Sequence, residues 1–270
     1  MGATWRLIID DGPAEGAWNM ALDRAVQLSR EAGEAPPTLR LYRWVRPTVT
    51  LGRFQDAAGI DRDVCAAEGI DVVRRFTGGR GVLHDDELTY SIVAGLEDGV
   101  PRGTAASYRM LCGGLVEAYR ELGVVEAALT PRPRGDGSSA ACYLHATAAD
   151  LSLGALKLSG SAQVWSGSTV LQHGSFTVTR DIEREARIFC LDVRDTSRLA
   201  EQTATIADSL GRRPSVETLE AAIVAGVARG LGVTFERGDP SACEVELAKV
   251  LLPETDANTH PSRVHVRTSR

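Results

Sequence analysis

The sequence predicts an α/β domain of the α+β type, built on a mostly antiparallel mixed sheet with helices against it. Strand-length runs rich in Val, Ile, Thr and Leu are joined by short turns, and helix-period runs stand between them. The two kinds of element mix without the strict βαβ order of a parallel sheet. At 270 residues, 43% hydrophobic and 24% charged, the chain can bury a sizeable core in one large domain or two small ones. Thirty basic residues against 36 acidic ones leave a net charge of −6, which disfavours non-specific binding to nucleic acid or to an anionic membrane.

Residues 5–10 read as the first strand, an apolar run with acids directly behind it. Neither a signal peptide nor a membrane span is expected there, and a cytoplasmic protein is. Gly12-Pro13 makes a turn. Residues 16–31 place Trp18, Leu22, Ala25, Val26 and Leu28 on one helical face, and Pro36-Pro37 closes that element. Residues 38–42 and 48–51 are short strands separated by Arg46-Pro47, expected to pair at a sheet edge or across a turn. Asp61 starts a short helix that runs to Glu68, with Gly69 just beyond. Residues 70–75, 81–84 and 87–96 make three strands. A second long helix, 104–122, turns Tyr108, Leu111, Leu115, Ala118, Tyr119 and Leu122 toward the sheet. Residues 131–139 are a loop. Residues 156–164 and 169–178 form a strand pair joined by Ser166-Gly167-Ser168. Residues 180–211 show no clear period. Residues 216–231 are helical, 233–235 a short strand and 241–252 a last helix. One domain over 1–252 is expected, with its core at about 36–215, C-terminal helices at 216–252 and a mobile tail at 253–270.

The densest stretch is Arg74-Arg75-Phe76-Thr77-Gly78-Gly79-Arg80-Gly81-Val82-Leu83-His84-Asp85. Gly78, Gly79 and Gly81 permit positive φ and close approach to a ligand, Thr77 offers a hydroxyl, and the arginines suit a phosphate or carboxylate. A hairpin turn with solvated arginines is the competing reading. Arg40, Arg43, Arg46 and Arg53 occur between residues 36 and 55 without a carboxylate, a candidate docking strip for an acidic partner if they are not simply surface arginines.

Five cysteines at irregular spacing, with no CxxC, argue against a disulfide framework and a zinc site. Cys65, Cys112, Cys190 and Cys243 read as small buried hydrophobes. Cys142 follows a loop, and Lys157 lies on a strand just ahead of Gly160-Ser161-Ala162-Gln163. A thiol must lose its proton to attack; a nearby ammonium favours the thiolate and a neutral lysine accepts the proton. A buried cysteine and a solvated lysine are the plain alternative. His145 is a rival base. His84 and His173 sit among small polar neighbours, suited to orienting a carbonyl, to proton transfer or to a structural hydrogen bond. No pair of His, Cys or carboxylates shows metal-ligand spacing.

Four segments occur in order: Gly16-Ala17-Trp18-Asn19-Met20-Ala21-Leu22-Asp23, Arg74-Arg75-Phe76-Thr77-Gly78-Gly79, Lys157-Leu158-Ser159-Gly160-Ser161-Ala162-Gln163, and Leu171-Gln172-His173-Gly174-Ser175. Jointly they resemble the biotin/lipoate protein ligase catalytic domain, over roughly residues 5–252. The resemblance implies a fold like that of the class II aminoacyl-tRNA synthetases and biotin ligases. ATP-dependent ligases usually follow the His-Asp pair with Gly-Asn, whereas His84-Asp85 here leads into Asp86-Glu87-Leu88-Thr89-Tyr90-Ser91, which is similar to the octanoyltransferase branch. That branch also carries an Ala-Cys-aromatic motif, matched by Ala141-Cys142-Tyr143.

The resemblance therefore implies transfer of an octanoyl group from acyl carrier protein to a lysine of a lipoyl domain, the glycine-cleavage H protein or a dehydrogenase E2. Cys142 would carry the acyl group as a thioester, with Lys157 activating it. The substrate-binding wall it implies comprises Arg75, Thr77, Gly78, Gly79, His84, Gly160, Ser161, Ala162, Gln163, Gln172, His173, Gly174 and Ser175. No metal or cofactor is implied beyond the carrier's octanoyl-phosphopantetheine; ATP and magnesium belong only to the ligase alternative. A non-catalytic lipoyl-domain binder is a third reading. The chain departs from the family pattern at Thr147-Ala148, where Ser-Trp is common, and in lacking an aromatic Asp-Glu-Trp-Asn ending.

Overall fold

The structure, a computed structural model, describes residues 2–130, 139–145, 147 and 150–258. Most of the expected 131–139 loop, Ala148 and the tail beyond Asn258 lie outside the described residues. The chain runs β1 (Thr4–Ile9), α1 (Gly16–Glu31), β2 (Thr38–Tyr42), β3 (Thr48–Leu51), α2 (Arg62–Ala67), β4 (Asp71–Arg74), β5 (Val82–His84), β6 (Glu87–Gly95), α3 (Thr104–Glu121) and β7 (Ala127–Leu129). It continues through β8 (Leu151–Leu153), β9 (Leu156–Ser159), β10 (Ser161–Ser166), β11 (Thr169–Thr177), α4 (Ile182–Ile188), α5 (Val193–Gln202), α6 (Ile206–Leu210), α7 (Val216–Leu231), β12 (Thr234–Arg237) and α8 (Ala242–Leu251). None of the described helices is long and apolar enough to cross a membrane.

The main sheet has the order β10-β11-β6-β2-β1-β12. Its β10–β11, β11–β6 and β6–β2 pairs are antiparallel, and β1 is parallel to both β2 and β12. Two small sheets, β4-β3-β5 and β7-β8-β9, stand beside it. The mostly antiparallel mixed sheet expected from sequence is present.

Three local expectations are corrected. β2 and β3 do not pair with each other: β2 lies between β6 and β1, and β3 is the centre of its own sheet. Every residue of both strands is buried, which an edge position would not allow. The expected strand at 156–164 breaks at Gly160, where the chain leaves β8's partner β9 and enters β10, the partner of β11. Residues 253–258 are not a loose tail. Leu252–Thr255 form a 3-10 turn, and Ala257, 3% exposed, gives its carbonyl to Arg74 Nη2 at 3.0 Å. The 180–211 region, which shows no period in sequence, folds into α4, α5 and α6, whose Asp181, Asp192 and Thr205 side chains each accept a backbone N–H of the first turn.

β6 is buried along its whole length because helices cover both faces of the sheet. Leu88, Tyr90 and Ile92 belong to the core formed with Leu111, Leu115 and Tyr119 of α3 and Ile223 and Val227 of α7. Val93 joins the opposite core, with Ala21, Leu22 and Val26 of α1 and Ala248 and Leu251 of α8. Helices α3 and α7 meet backbone to backbone: a Cβ on Gly226 would lie 2.2 Å from the Ala118 backbone, whereas one on Gly113 would meet nothing within 4 Å. Gly226→Ala is therefore expected to lose about 1–3 kcal/mol in urea unfolding through overpacking. Gly113→Ala should instead hold stability or raise it by up to about 1 kcal/mol, the helix-propensity difference. Equal shifts in the two variants would refute this close packing.

Candidate active site

The glycine segment is folded around an arginine. Arg75 is 5% exposed and its guanidinium gives every N–H to an uncharged oxygen. Nη1 donates to Thr50 O at 2.9 Å and Thr50 Oγ1 at 3.2 Å, Nη2 to Gly78 O and Arg80 O at 2.8 Å each, and Nε to Thr77 Oγ1 at 3.1 Å. Arg74 holds the neighbouring loop through its terminal nitrogens, Nη1 and Nη2 donating to the carbonyls of Gly52, Arg53, Gln55 and Ala257, while its buried Nε has no partner among the described residues. The two arginines are thus spent on backbone and hydroxyl groups rather than held out for a phosphate. Nor is the segment a hairpin, since β4 and β5 both bond to β3. The turn lies so close on Gly52 that a Cβ there would sit 1.9 Å from Gly79 O.

From Arg75 two matching relays run into the sheet. In one, Thr77 Oγ1 lies 2.7 Å from His173 Nε2, and His173 Nδ1 lies 3.3 Å from Asp23 Oδ2. In the other, Thr50 Oγ1 lies 2.9 Å from His84 Nε2, and His84 Nδ1 lies 2.7 Å from Glu87 Oε1. Glu87 follows the Asp85-Asp86 pair at the point where the sequence resembles the transferase rather than the ligase branch. Because Arg75 donates to Thr77, the threonine hydroxyl is free to donate onward to Nε2, which places the His173 proton on Nδ1 facing Asp23.

Asp23 belongs to a polar stripe that the apolar reading of α1 missed. Asn19, Asp23 and Gln27 stand one helical turn apart and are each at most 1% exposed. Asp23 accepts from Arg40 Nη1 (2.9 Å), Tyr42 OH (2.9 Å) and Ser91 Oγ (2.7 Å). Burial would raise its carboxyl, but the His173 hydrogen bond and the Arg40 charge outweigh burial and hold it below the ordinary range. Burial lowers His173, against the pull of Asp23 and with the help of Arg75. This network also corrects the docking strip. Arg40 is 1% exposed and paired to Asp10 and Asp23, and Arg46 is paired to Glu15 and Asp71.

Cys142 opens a 3-10 turn, Cys142–Leu144, laid directly on the glycine segment. Gly81 N donates to Ala140 O at 2.9 Å and Cys142 N to Gly81 O at 2.8 Å. Lys157 Nζ lies 3.7 Å from Cys142 Sγ. It also donates to Cys142 O (3.2 Å) and His145 O (2.6 Å) and pairs with Asp150 Oδ2 (3.0 Å). Burial would push the Lys157 ammonium down, but Cys142, Asp150 and Tyr143 raise it above its usual value. It is therefore a cation at neutral pH, suited to stabilising a thiolate rather than to accepting its proton. Asp150 carried no sequence signal because it meets Lys157 only through the β8–β9 hairpin.

Cys142 stands where two cavities meet. The inner one, about 510 Å³ including its mouth, is lined by Met20, Val82, Tyr143, Ala162 and Gly174 beside Arg75, Gly79, His84, Gly160, Ser161, His173 and Ser175. The outer groove, about 1590 Å³ and open to solvent, is lined by Gly78, Gly79, Arg80, Tyr108, Arg109, His145, Lys157, Ser161, Ala162 and Gln163. Thr77 supports the wall from behind, fully buried. Gln172 is on the opposite face of β11 from His173, and donates to Tyr90 OH and Cys112 Sγ beneath α3. Cys65 and Cys112 are buried as expected, whereas Cys190 and Cys243 are exposed. Among the described residues no cluster of three or more His, Cys, Asp or Glu side chains forms a metal site.

The lowered His173 value sets a pH dependence. Between that value and the ordinary one near 6.5, the unfolded chain binds more protons than the folded one. The stability it contributes is full above pH 6.5 and is lost as pH falls through the folded value. Urea midpoints measured from pH 7.5 to 5 should drop for the wild type and drop less for His173→Asn; parallel curves would refute the assignment.

A family model described as the lipoyl protein ligase A/B catalytic domain matches residues 15–228. The chain is 39% identical over 265 residues to the octanoyltransferase LipM of Kyrpidia tusciae, covering 92% of this chain and 95% of that one. A solved lipoate-protein ligase A bound with ATP shares the fold at a TM-score of 0.76 and 25% identity, over 94% of this chain and 95% of that chain. So does the bi-partite lipoate protein ligase of Thermoplasma acidophilum, from a study that includes its E2 lipoyl domain, at a TM-score of 0.74 and 23% identity over 94% and 93%. The chain belongs to the lipoyl protein ligase A/B catalytic domain family.

Proposed function

We propose that the protein is an octanoyltransferase of lipoate biosynthesis that carries the acyl group as a thioester on Cys142. The supporting observation is the sulfur held 3.7 Å from the Lys157 ammonium at the junction of an inner slot and an open groove. The relatives named octanoyltransferase LipM support the reaction class. In this reading the octanoyl chain lies in the inner slot, where burial contributes about 0.8 kcal/mol per methylene, and the outer groove receives first the donor arm and then the acceptor lysine.

The Cys142 thiolate attacks the thioester carbonyl of octanoyl-phosphopantetheine on acyl carrier protein. Backbone N–H groups at Gly78-Gly79 or Gly160 take the oxyanion, and the departing pantetheine sulfur leaves with a proton from Lys157. The neutral amine of a lipoyl-domain lysine then attacks the acyl-enzyme; as the C–S bond breaks, the amine's proton passes to the now neutral Lys157, the amide forms, and Cys142 returns to its thiolate beside the ammonium. A lipoyl domain as acceptor is supported by the family and by the E2 lipoyl domain studied with the Thermoplasma ligase. No cofactor is needed beyond the donor's phosphopantetheine. The alternative, an ATP-dependent ligase, would ask Arg75 and Lys157 to hold an acyl-adenylate, yet Arg75 has given its protons to Thr50, Thr77, Gly78 and Arg80.

Incubation with octanoyl-carrier protein should add one octanoyl mass to the wild type, labile to hydroxylamine, and none to Cys142→Ser. Transfer that requires ATP and survives Cys142→Ser would establish the ligase instead. An absence of both adduct and product would favour a non-catalytic binder.

A further inference from the structure

The inner slot has a direction. Its mouth is where it meets the outer groove, and Gly79, Cys142, Ser161 and Ala162 line both. From there it crosses the strands of the main sheet. Ala162 of β10 stands beside His173 of β11, and the next row on the same face runs from Ser175 of β11 to Thr89 of β6 and Tyr42 of β2, each the register partner of the one before. Neighbouring strands lie about 4.8 Å apart, so Tyr42 is the slot residue of the main sheet farthest from the mouth. Met20 of α1, 2% exposed, also lines the slot and forms a buried cluster there with Tyr42, Trp44 and Val73.

The polar atoms at this end are committed elsewhere. Tyr42 OH donates to Asp23 Oδ2 at 2.9 Å, Thr89 Oγ1 accepts from Trp44 Nε1 at 2.7 Å and donates to Glu87, and Ser175 Oγ donates to Glu87 Oε1 at 2.8 Å. Trp44 is also stacked on His84, with ring centroids 4.2 Å apart. Hydrogen bonds thus fix the aromatic and hydroxyl groups in place. Met20 fills the end by packing, with an unbranched and adaptable thioether.

We propose that Met20 is the stop at the end of the acyl slot and sets the longest chain that Cys142 carries. The inference rests on the reading that the acyl chain on Cys142 lies in this slot. A chain gains burial with each methylene until its terminal methyl reaches the Met20 side chain. One methylene more has to drive the thioether into the packed cluster behind it, which costs rather than stabilises. Val82 and Tyr143, the other large apolar side chains of the slot, do not occupy this place. Val82 follows Gly81, whose carbonyl accepts from Cys142 N, and Tyr143 belongs to the cysteine turn, so both stand toward the mouth.

The test measures how fast Cys142 is modified by straight-chain alkyl methanethiosulfonates, from methyl to dodecyl, by intact mass in a background where the exposed Cys190 and Cys243 are changed to serine. The thiolate attacks the sulfenyl sulfur, a disulfide forms and methanesulfinate leaves, so neither acyl donor nor carrier is needed. Rates divided by the methyl rate should climb with chain length in the wild type and then break off. Met20→Ala should move the break at least two carbons longer and raise the relative rate of the chain two carbons beyond the wild-type break by about tenfold, each newly buried methylene being worth about fourfold. Met20→Phe should move the break shorter. A break left in place in a Met20→Ala protein whose near-ultraviolet circular dichroism matches wild type overturns the proposal, as does a change of equal size at every chain length, methyl included. If Met20→Ala does not fold, Met20→Val decides by the same two criteria. A wild type that takes no octanoyl group from its carrier protein while these breaks move as expected would count against the proposed function and not against Met20.

Discussion

A guanidinium taken out of water must find an oxygen for each of its protons, and at Arg75 that requirement shapes the centre of the molecule. Thr50 on β3, Thr77 and Gly78 in the turn, and Arg80 beyond it all converge on one side chain. The turn's path is set by where those carbonyls must point. Its glycines let the backbone make that path and lie directly on Gly52. The two threonines pass the polarity on to His173 and His84, and those histidines reach the buried carboxylates of α1 and β6. Leaving any member of such a network unpaired costs far more than any single bond within it contributes, which makes the network specify one arrangement.

A second buried cation completes the site from the other side. Lys157 needs Asp150 and the carbonyls of Cys142 and His145, and drawing them in closes the cysteine segment over the β8–β9 hairpin. Hydrogen bonds between Gly81 and residues 140 and 142 join the two halves. Cys142 is therefore placed by backbone contacts on one side and by an ammonium on the other, without relying on its own side chain. That leaves the sulfur partly exposed at the mouth of the slot. The arrangement suits a reaction in which one atom must face a buried acyl chain and two successive solvent-borne partners.

The sequence by itself determined the inventory and most of the elements. The bounds of α1 and α7 follow from helical period, and the β10–β11 hairpin from Ser166-Gly167-Ser168, whose glycine has φ of 53°. The glycine segment, Cys142 and Lys157 were singled out by residue type and by the order of four short motifs. Local signals could do this because period, caps and turns are properties of neighbouring residues. Tertiary structure alone decided which strand pairs with which, so β2 and β3 parted into different sheets although only Arg43 to Pro47 separate them. It also decided the roles of charges. Arg40 looked like part of a docking strip and is buried against Asp10 and Asp23; Asp150 looked like nothing and holds Lys157; Gln172 looked like part of the wall and lies behind it. A charge's role depends on what lies within a few ångströms of it in space, and at sequence separations as long as that between Asp23 and His173 no local pattern records it.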